Sequence, residues 1–424
     1  MKKQSVGIIG LGYVGLPLAV KFVQAGFEVL GIDTDTRKLK MIRSGKSYID
    51  DIDSADLKNA VRSGRFCVSD DFSCLSRTNV ICVCVPTPLD KNKQPDISYI
   101  EHATEKIAKT LKKGQLIILE STTYPGTTEE IMLPAFEAKG LRVGRDFNLV
   151  FSPERVDPGN KKFKLNDVPK VIGGITEKCS ARAAEVYSRV FEKIHIVSSP
   201  KVAETEKLLE NIFRNVNIAL VNELAILCRR MDIDVWEVIA AAKTKPYGYM
   251  AFYPGPGIGG HCIPLDPFYL SWKAKEYGIR TRFIELAGEI NDKMPEYTVR
   301  LLQDILNERN ISLKDAKVLV LGLSYKKDIN DMRESPAVKV IEQLFVKGAA
   351  VSYSDPHVPE ARIGSRKMKS VVLNQKNVSS ADAVIVLTDH SAFDYEKIVD
   401  NARLVLDTRN AVKSKKNSKK VIKL

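Results

Sequence analysis

The residues best suited to chemistry lie in one stretch, Gly259-Gly260-His261-Cys262-Ile263-Pro264-Leu265-Asp266. Glycines beside a cysteine leave room for a substrate to reach the sulfur, and a nucleophilic cysteine needs that access. A carboxylate, Asp266, follows four residues after Cys262. These residues alone favour a catalytic thiol, with a cysteine confined to a tight turn as the alternative. We interpret His261 as a loop histidine, because adjacent side chains diverge.

A second motif, Gly10-Leu-Gly-Tyr-Val-Gly15, lies between a predicted strand and a predicted helix. Gly10 allows a tight turn, Gly12 lets the backbone approach a pyrophosphate, and Gly15 allows close packing of helix and strand. Asp33 ends the next predicted strand, where its carboxylate would accept hydrogen bonds from an adenosine ribose and repel a 2′-phosphate. The motif therefore predicts NAD as the cofactor, in preference to NADP.

The elements that position these residues alternate between strands and helices in the first part of the chain. The predicted strands are Val6–Gly10, Glu28–Asp33, Val80–Val85, Gln115–Leu119 and Phe147–Phe151, and the first predicted helix is Val14–Ala25. Short β-rich runs that alternate with helical patterns predict a parallel, doubly wound sheet.

A long helix and a second αβ region follow. Val202 to Arg230 has apolar residues at helical spacing and neither glycine nor proline, which predicts one helix with a wide apolar face. We expect that face to be buried between domains or subunits. The next predicted elements are strands Val318–Leu321, Ala350–Ser354, Ala383–Leu387 and Arg403–Leu406 and helix Ser335–Lys347.

The composition limits the function classes. The chain has 424 residues, 44% hydrophobic and 28% charged, which indicates a globular protein of two to three domains. The net charge of +13 is typical of nucleic-acid, membrane-surface or anionic-ligand binding, and six of the lysines lie between Lys413 and Lys423. We expect this polar tail to be solvated and disordered. The remaining positive charge suits pyrophosphate binding, and no basic–aromatic pattern typical of nucleic-acid binding is seen.

Targeting and cysteine usage point to the cytoplasm. The N-terminal apolar run is better explained by the glycine motif than by a signal peptide, and no spanning segment is seen. The seven cysteines are an odd number and show neither a disulfide framework nor zinc-type spacing, so we expect no metal. Cys82 and Cys84 are predicted to be buried thiols on one face of a strand.

Eight motifs together make the whole chain resemble the UDP-glucose/GDP-mannose dehydrogenase family. The motifs are Gly10–Pro17, Val85–Pro88, Ser121-Thr122, Ser152-Pro153-Glu154-Arg155, Glu206–Asn211, Gly259–Asp266, Tyr325–Asp328 and Arg333–Pro336. The resemblance implies an α/β fold with two Rossmann-like, doubly wound domains joined by a long central helix. It implies NAD binding by residues 1–199, dimerisation and the catalytic loop in 200–312, and UDP binding in 313–424, with the basic tail. The expected partners are a UDP-sugar and a second copy of the chain, without nucleic acid or membrane.

The resemblance also implies a four-electron oxidation of the C6 hydroxymethyl of a UDP-linked sugar, with two NAD⁺ used in turn. Cys262 would trap the aldehyde as a thiohemiacetal, which is again an alcohol able to lose hydride. Lys207 and Asn211 match an oxyanion-stabilising pair, and their spacing places both on one helix face. Asp266 matches the acid that positions water or base together with Thr122, and Glu154 matches a glutamate proposed for thioester hydrolysis. Which of these two acids moves which proton is left open.

The same motifs imply two sets of binding residues. The cofactor-binding set is Gly10, Gly12, Tyr13, Val14, Gly15, Asp33, Pro86, Thr87, Ser121, Thr122 and Arg333. The substrate-binding set is Glu154, Lys207, Asn211, Arg214, Tyr253, Gly259, Tyr325, Lys326 and Arg409.

The sugar is inferred from details of the cysteine loop. Leu265 stands where glucose-type enzymes carry a lysine, and the form Pro254-Gly255-Pro256-Gly257 is similar to that of enzymes acting on UDP-N-acetylhexosamines. UDP-N-acetylglucosamine (UDP-GlcNAc) is the expected substrate, with UDP-glucose, UDP-GalNAc and UDP-ManNAc as alternatives. Arg214 is expected to reach the sugar or its acetamido group. Glucose-type relatives also carry an arginine upstream of the cysteine loop, and here only Lys243 and Lys245 are candidate substitutes.

Two other function classes compete with this interpretation. A dehydrogenase that removes one hydride, like the hydroxyacid dehydrogenases, would need no cysteine. A non-catalytic dinucleotide-binding or nucleic-acid-binding protein would have no use for Cys262, Lys207 and Asn211 together.

Overall fold

The computed structural model describes residues 4–49, 52–90, 93–155, 167–413 and 418–424. The chain forms two units, of which the first comprises Met1–Glu210 and Phe268–Ile279 and the second comprises Asn211–Pro267 and Arg280–Leu424.

The first unit is built on an eight-stranded sheet. Its strands are β1 (Ser5–Ile9), β2 (Glu28–Ile32), β3 (Phe66–Ser69), β4 (Val80–Val83), β5 (Leu116–Leu119), β6 (Asn148–Phe151), β7 (Lys170–Gly174) and β8 (Ile194–Val197). They lie in the order β3-β2-β1-β4-β5-β6-β7-β8, and every neighbouring pair is parallel except the antiparallel pair β6 and β7. The order reverses between β1 and β4, which is where open α/β sheets bind their ligands.

Helices cover both faces of this sheet. They are α1 (Gly15–Gln24), α2 (Thr36–Arg43), α3 (Ser54–Arg62), α4 (Ser98–Thr110), α5 (Leu133–Glu137) and α6 (Glu177–Tyr187), with a 3₁₀ helix at Phe72–Arg77 and a π-helical turn at Thr128–Met132. Alternate strand residues enter two hydrophobic clusters, so that Ile118 packs in one and Ile117 in the other. Because both faces are buried, β4 and β5 are apolar throughout.

Four helices lie between the two sheets along the chain. Helix α7 (Pro200–Arg230) is 31 residues long, and the division between the units falls within it, after Glu210. Helices α8 (Val235–Ala242) and α9 (Asp266–Ala274) follow, and a 3₁₀ turn at Lys275–Tyr277 ends at Gly278. Helix α10 (Arg282–Asn307) contains Pro295 and leads into the second sheet.

The second unit contains a five-stranded parallel sheet in the order β10-β9-β13-β14-β15. Its strands are β9 (Lys317–Leu321), β10 (Ala350–Ser354), β13 (Ala383–Val386), β14 (Val405–Asp407) and β15 (Val421–Lys423), and β11 (Glu360–Ile363) and β12 (Arg366–Lys369) form a separate antiparallel hairpin. The helices are α11 (Pro336–Val346), α12 (Gln375–Ser379) and α13 (Tyr395–Asn401), with a 3₁₀ turn at Ser418–Lys420. The predicted fold class, two parallel-sheet units and a long central helix, is confirmed.

One sequence prediction needs correction. The prediction of a disordered tail is wrong for Val421–Lys423, which form β15 and pair with β14. Their order is explained by Val421 and Ile422, which pack against the core of the second sheet. Residues 414–417 lie outside the described part of the chain. Cys82 and Cys84 are buried as predicted, whereas Cys67 is exposed although it lies in a strand.

Among the described residues, no helix has both the length and the apolar character that crossing a membrane requires.

Candidate active site

The glycine turn in the first unit joins β1 to α1. Gly10 has a φ of +88°, and its N–H donates to the carbonyl of Ile32 at 2.8 Å, so the turn is tied to β2. A Cβ at Gly15 would overlap the carbonyl oxygen of Gly10, so that glycine is required by packing. A Cβ at Gly12 would meet no atom within 4 Å, and this glycine has no positive φ. Neither packing nor backbone conformation therefore explains Gly12, and a close ligand does.

Asp33 closes the turn from the end of β2. It is 8% exposed, and its carboxylate accepts the N–H of Leu11 at 2.9 Å and that of Asp35 at 2.9 Å. The ammonium of Lys38 lies 3.3 Å from the same carboxylate. Asp33 thus holds the loop that would surround the dinucleotide, at the position where an acid meets the adenosine ribose. The residues present fit an NAD cofactor.

The loops after β4 and β5 lie on the other side of the point where the strand order reverses. Pro86 and Thr87 follow β4, and the hydroxyl of Tyr269 donates to the carbonyl of Thr87. Ser121 follows β5 and donates to the carbonyl of Val85 at 2.8 Å, which joins the two loops. Thr122 comes next, so the predicted cofactor residues of the first unit lie at the carboxyl ends of adjacent parallel strands, whereas Arg333 belongs to the second unit.

A buried carboxylate on α7 anchors the loop that follows Thr122. Glu204 is fully buried and accepts the N–H of Gly126 at 2.6 Å and that of Thr128 at 3.0 Å. Lys207 lies one turn further along the same helix and is 7% exposed. Lysine is almost never buried unless its charge is paired, so the burial of Lys207 excludes a solvated surface position.

Glu154 lies at the end of β6 beside a buried lysine that sequence reasoning missed. The ammonium of Lys170 contacts Glu120 at 2.5 Å, donates to the carbonyl of Pro153 at 3.1 Å and lies 4.0 Å from Glu154. Burial acts to lower the pKa of Lys170, but Glu120 and Glu154 outweigh it and the pKa lies above its usual value. Tyr187 donates to Glu120 and completes the group. Lys170 thereby fixes the chain next to Glu154.

Arg155, the residue after Glu154, connects this segment to α7 through ion pairs. Its guanidinium forms an ion pair with Glu210 and lies 3.6 Å from Glu206. Desolvation and the neighbouring charge of Glu210 raise the pKa of Glu206 to about 7. Glu206, next in sequence to Lys207, is therefore a carboxyl group that can bind or release a proton near neutral pH.

In the second unit, Cys262 is exposed and begins a helical turn. Its carbonyl accepts the N–H of Leu265 at 3.1 Å and that of Asp266 at 2.9 Å, immediately before α9. The N–H end of a helix carries partial positive charge, which favours a negative charge on a nearby sulfur. The interval of four residues between Cys262 and Asp266 is therefore the hydrogen-bonding interval of a helix, a signal that sequence reasoning did not use.

Asp266 is joined to the predicted oxyanion residue. It is 4% exposed and accepts a hydrogen bond from the amide of Asn211, which is fully buried. The oxygen of the same amide accepts from the guanidinium of Arg214. Arg214 therefore contacts Asn211, one helical turn away, in addition to any contact with a sugar.

Tyr325 and Arg409, predicted to bind UDP, and Arg333, predicted to bind the cofactor, lie against the cysteine loop within the second unit. The carbonyl of Arg333 accepts the N–H of Gly260 at 3.0 Å, and its guanidinium pairs with Asp331. A Cβ at Gly259 would lie 2.5 Å from Cβ of Tyr325, so only glycine fits there. Arg409 donates to the carbonyl of Leu387 at 2.8 Å, and burial lowers its pKa.

The outer predicted residues are less constrained. Tyr253 is 49% exposed and stacks on Trp236 with ring centroids 6.1 Å apart. In the first unit, Tyr13 is 45% exposed. In the second unit, the main-chain carbonyl of Lys326 accepts a hydrogen bond from the hydroxyl of Ser324 at 3.0 Å.

A group with metal-ligand composition also lies in the second unit. Asp328, His357 and His390 could place three ligand atoms within 4.8 Å of one another. Both ring nitrogens of His390 are engaged, because Nδ1 accepts the N–H of Asp328 at 3.0 Å and Nε2 lies 3.0 Å from Asp355. His390 thus has no lone pair available, and we do not assign a metal to the group.

Comparison with known proteins covers both sheets and the helices that connect them. Three sequence profiles of the UDP-glucose/GDP-mannose dehydrogenase family match: the NAD binding domain at residues 4–191, the central domain at 201–293 and the UDP binding domain at 319–414. A UDP-N-acetyl-D-glucosamine 6-dehydrogenase from Pseudomonas aeruginosa is 38% identical over 396 residues, which cover 93% of this chain and 92% of the relative.

Two solved structures show the same architecture. A UDP-D-ManNAc dehydrogenase from Pyrococcus horikoshii superimposes with a TM-score of 0.88 at 36% identity, over 97% of this chain and 96% of that one. A UDP-glucose dehydrogenase from Pyrobaculum islandicum gives a TM-score of 0.85 at 27% identity, over 99% and 97%. The fold is thus shared by enzymes named for different sugars.

The contrast between Gly12 and Gly15 gives a test of the cofactor turn. Gly12→Ala should leave the melting temperature without nucleotide within about 2 °C of wild type, since its methyl enters open space. It should weaken NAD⁺ binding at least about tenfold, because the methyl group stands where the pyrophosphate approaches. Gly15→Ala, the matched control, should lose about 1–3 kcal/mol of stability through overlap with Gly10.

Thermal denaturation without nucleotide and calorimetric titration with NAD⁺ measure the two effects. Wild-type NAD⁺ affinity in Gly12→Ala would contradict the assignment, as would a loss of stability equal to that of Gly15→Ala.

Proposed function

Because the chain belongs to the UDP-glucose/GDP-mannose dehydrogenase family, we propose that it oxidises a UDP-N-acetylhexosamine, preferentially UDP-GlcNAc, to the 6-uronic acid. The chain is an NAD-dependent nucleotide-sugar 6-dehydrogenase. The observation that carries the proposed chemistry is the exposed Cys262 at the start of a helical turn that also contains buried Asp266. In this proposal, residues 1–199 bind NAD, residues 200–312 supply the catalytic loop and the dimer interface, and residues 313–424 bind UDP.

The first oxidation converts the C6 alcohol to an aldehyde. NAD⁺, which the glycine turn and Asp33 would hold, would supply the hydride acceptor for each of the two oxidations. The hydroxyl proton passes to a base, and Lys207 and Asn211 stabilise the negative charge that develops on the oxygen. Support for this pair comes from their burial and from the hydrogen bond that orients Asn211 against Asp266.

Cys262 then retains the aldehyde. Its sulfur adds to the carbonyl carbon and the oxygen gains a proton, which gives a thiohemiacetal. Loss of a second hydride and of the hydroxyl proton leaves a thioester. Water attacks the thioester carbon, the C–S bond breaks, and the carboxylate and the thiol are released. Asp266 with Thr122, and Glu154, are the carboxylate groups assigned to positioning the water and moving its proton.

UDP recognition is assigned to Tyr325, Lys326 and Arg409, with Arg333 reaching the cofactor pyrophosphate. A planar guanidinium suits phosphate oxygens or a uracil carbonyl. The packing of Gly259 against Tyr325 supports the assignment, because it joins a proposed UDP residue to the loop that carries the nucleophile.

We also propose that the protein is a homodimer formed through α7. One face of this helix remains exposed in the single chain, and its apolar side chains recur at helical spacing: Leu209, Phe213, Leu220, Leu224 and Leu227 are 62%, 45%, 52%, 36% and 52% exposed. Such a contiguous apolar face marks an interaction site. Sedimentation equilibrium should give a mass of two 47.2 kDa chains, and a monomer at micromolar concentration would exclude the dimer.

The cytoplasmic location expected from the sequence stays a prediction, which fractionation of cells that produce the protein would check.

The nucleophile assignment predicts the behaviour of Cys262→Ser. This variant should release no uronic acid, since serine is a far weaker nucleophile and its ester hydrolyses less readily than a thioester. We expect it to stall with a covalent or tightly held adduct, which intact-protein mass spectrometry detects. Cys67→Ser, which replaces another exposed cysteine, is the control and should behave as wild type. Normal acid production by Cys262→Ser would remove the nucleophile assignment.

The sugar assignment predicts a ranking in a panel of UDP-GlcNAc, UDP-ManNAc, UDP-GalNAc and UDP-glucose. A site that hydrogen-bonds the acetamido group leaves polar atoms unpaired when glucose binds, so discrimination in kcat/KM should reach about a thousandfold. Arg214→Ala should reduce this preference and spare residual UDP-glucose turnover. If Arg214 acts only by holding Asn211, the variant lowers kcat equally for every sugar.

Equal turnover of UDP-glucose and UDP-GlcNAc would refute acetamido recognition. A higher kcat/KM for UDP-ManNAc would refute only the preferred configuration at C2, and that alternative is favoured by the similarity to the Pyrococcus horikoshii enzyme.

A further inference from the structure

Three buried asparagines in the second unit lie between the long helices and the two ends of the cysteine loop. Asn215 and Asn222 are on α7, Asn291 is on α10, and they are 3%, 0% and 5% exposed. None of them belongs to the catalytic or binding sets inferred from the sequence. Burying an amide is costly unless its hydrogen bonds are formed, so each needs an explanation.

The amides form a continuous chain of hydrogen bonds. The N–H of Gly255 donates to Oδ1 of Asn222 at 2.9 Å, and Nδ2 of Asn222 donates to Oδ1 of Asn291 at 2.9 Å. Nδ2 of Asn291 donates to the main-chain carbonyl of Asn215 at 3.1 Å. Nδ2 of Asn215 donates to the carbonyl of Ile263, also at 3.1 Å. The chain therefore begins at Gly255 and ends one residue after Cys262.

The main-chain groups in this series of hydrogen bonds fix the orientation of each asparagine amide. Gly255 offers only an N–H and Ile263 only a carbonyl, so exchanging oxygen and nitrogen in Asn222 or Asn215 would place like groups together. Flipping one of these side-chain amides would therefore break the series of hydrogen bonds.

Stability alone does not explain the link at Asn215. Its Oδ1 is buried without a hydrogen-bond partner among the described residues, which lowers the stability that the side chain contributes. The donated hydrogen bond to Ile263 is retained despite this cost. Residues from Tyr253 to Gly259 form no helix or strand, so the loop depends on such contacts for its conformation.

We propose that Asn215, Asn222 and Asn291 are positioning residues that hold the cysteine loop at both ends and so place the sulfur of Cys262 for attack on the aldehyde. The inference rests on the proposed role of Cys262 as the nucleophile. The asparagines act through the loop backbone and need no contact with the substrate. Because helical geometry fixes Asn211 and Asn215 one turn apart on α7, the same helix face orients both the oxyanion donor and the nucleophile loop.

Asn215→Ala and Asn222→Ala test the proposal in the full-length protein. A displacement of about 1 Å at a reacting atom can cost about a hundredfold, so kcat should fall about 10- to 100-fold. KM for the UDP-sugar should stay within about threefold of wild type, since no substrate contact is removed. Asn401→Ala is the matched control, because the amide of Asn401 donates at 2.7 Å to the carbonyl of Lys397 in α13, in an exposed hydrogen bond of the same unit. It should keep wild-type kcat.

Alkylation of Cys262 by iodoacetamide, followed by peptide mass spectrometry, reports on the loop without any substrate. The rate at Cys262 should fall at least about threefold in both variants, because loosening the helical turn removes its stabilisation of the thiolate. The rate at exposed Cys67 should not change. If alkylation slows but Cys262→Ser still makes acid, the loop restraint stands and the nucleophile assignment fails.

Asn222→Asp is a second variant that should fold even if the alanine variants do not, because aspartate and asparagine side chains have nearly the same shape. An ionised carboxylate cannot donate to Asn291, whereas a protonated carboxylic acid can. Burial raises the pKa of such a group, so kcat relative to wild type should rise as pH falls from about 8 to about 6. A ratio independent of pH would overturn the proposal, as would wild-type kcat and alkylation rate in folded Asn215→Ala or Asn222→Ala.

Discussion

Side chains four residues apart in an α-helix lie above one another on one face, and this constraint organises the chemistry of the chain. In α7 it aligns Lys207, Asn211 and Asn215, and all three are buried. Another face of the same helix carries exposed leucines, such as Leu220 and Leu227. One uninterrupted helix can therefore supply donors for catalysis and an apolar surface for a second subunit, provided that no proline or glycine bends it.

Buried polar groups give the surrounding structure its precision. An unpaired buried polar group costs about 1–3 kcal/mol, so the hydrogen bonds that buried polar groups do form strongly disfavour arrangements that would break them. In the first unit, Lys170 and Glu120 hold the chain beside Glu154. In the second, hydrogen-bonded asparagines hold the loop that carries Cys262. Both groups of side chains act by holding neighbouring segments of the chain, and neither group needs to contact the substrate.

Much of the architecture could be predicted from local sequence, because parallel strands buried on both faces are short apolar runs. The strand predicted at Gln115–Leu119 is observed at Leu116–Leu119, and the helix predicted at Val202–Arg230 begins two residues earlier, at Pro200. The family resemblance and the NAD cofactor are confirmed. Strand β15 was missed, because lysines outnumber apolar residues around it and its partner, β14, is adjacent only in space.

Where a motif carries the chemistry, as at Cys262 and Gly12, the sequence alone names the candidate residues, and their roles stay predictions. The candidate site was not predictable where function depends on tertiary contacts. Lys170 begins an apolar strand and resembles any lysine at a strand end, until folding places Glu120 beside it. Asn222 and Asn291 are far apart in sequence, and only the packing of α7 against α10 makes their amides partners.

We propose that one enzyme removes four electrons from one sugar by retaining the aldehyde on Cys262. The most direct test is the number of NADH molecules formed per UDP-N-acetylhexosamine consumed, with the sugar limiting and NAD⁺ in excess. Absorbance gives the NADH, and chromatography gives the remaining sugar and the acid. The account predicts two NADH per sugar and no free aldehyde at any time. One NADH per sugar, with an aldehyde or ketone as the product, would contradict it.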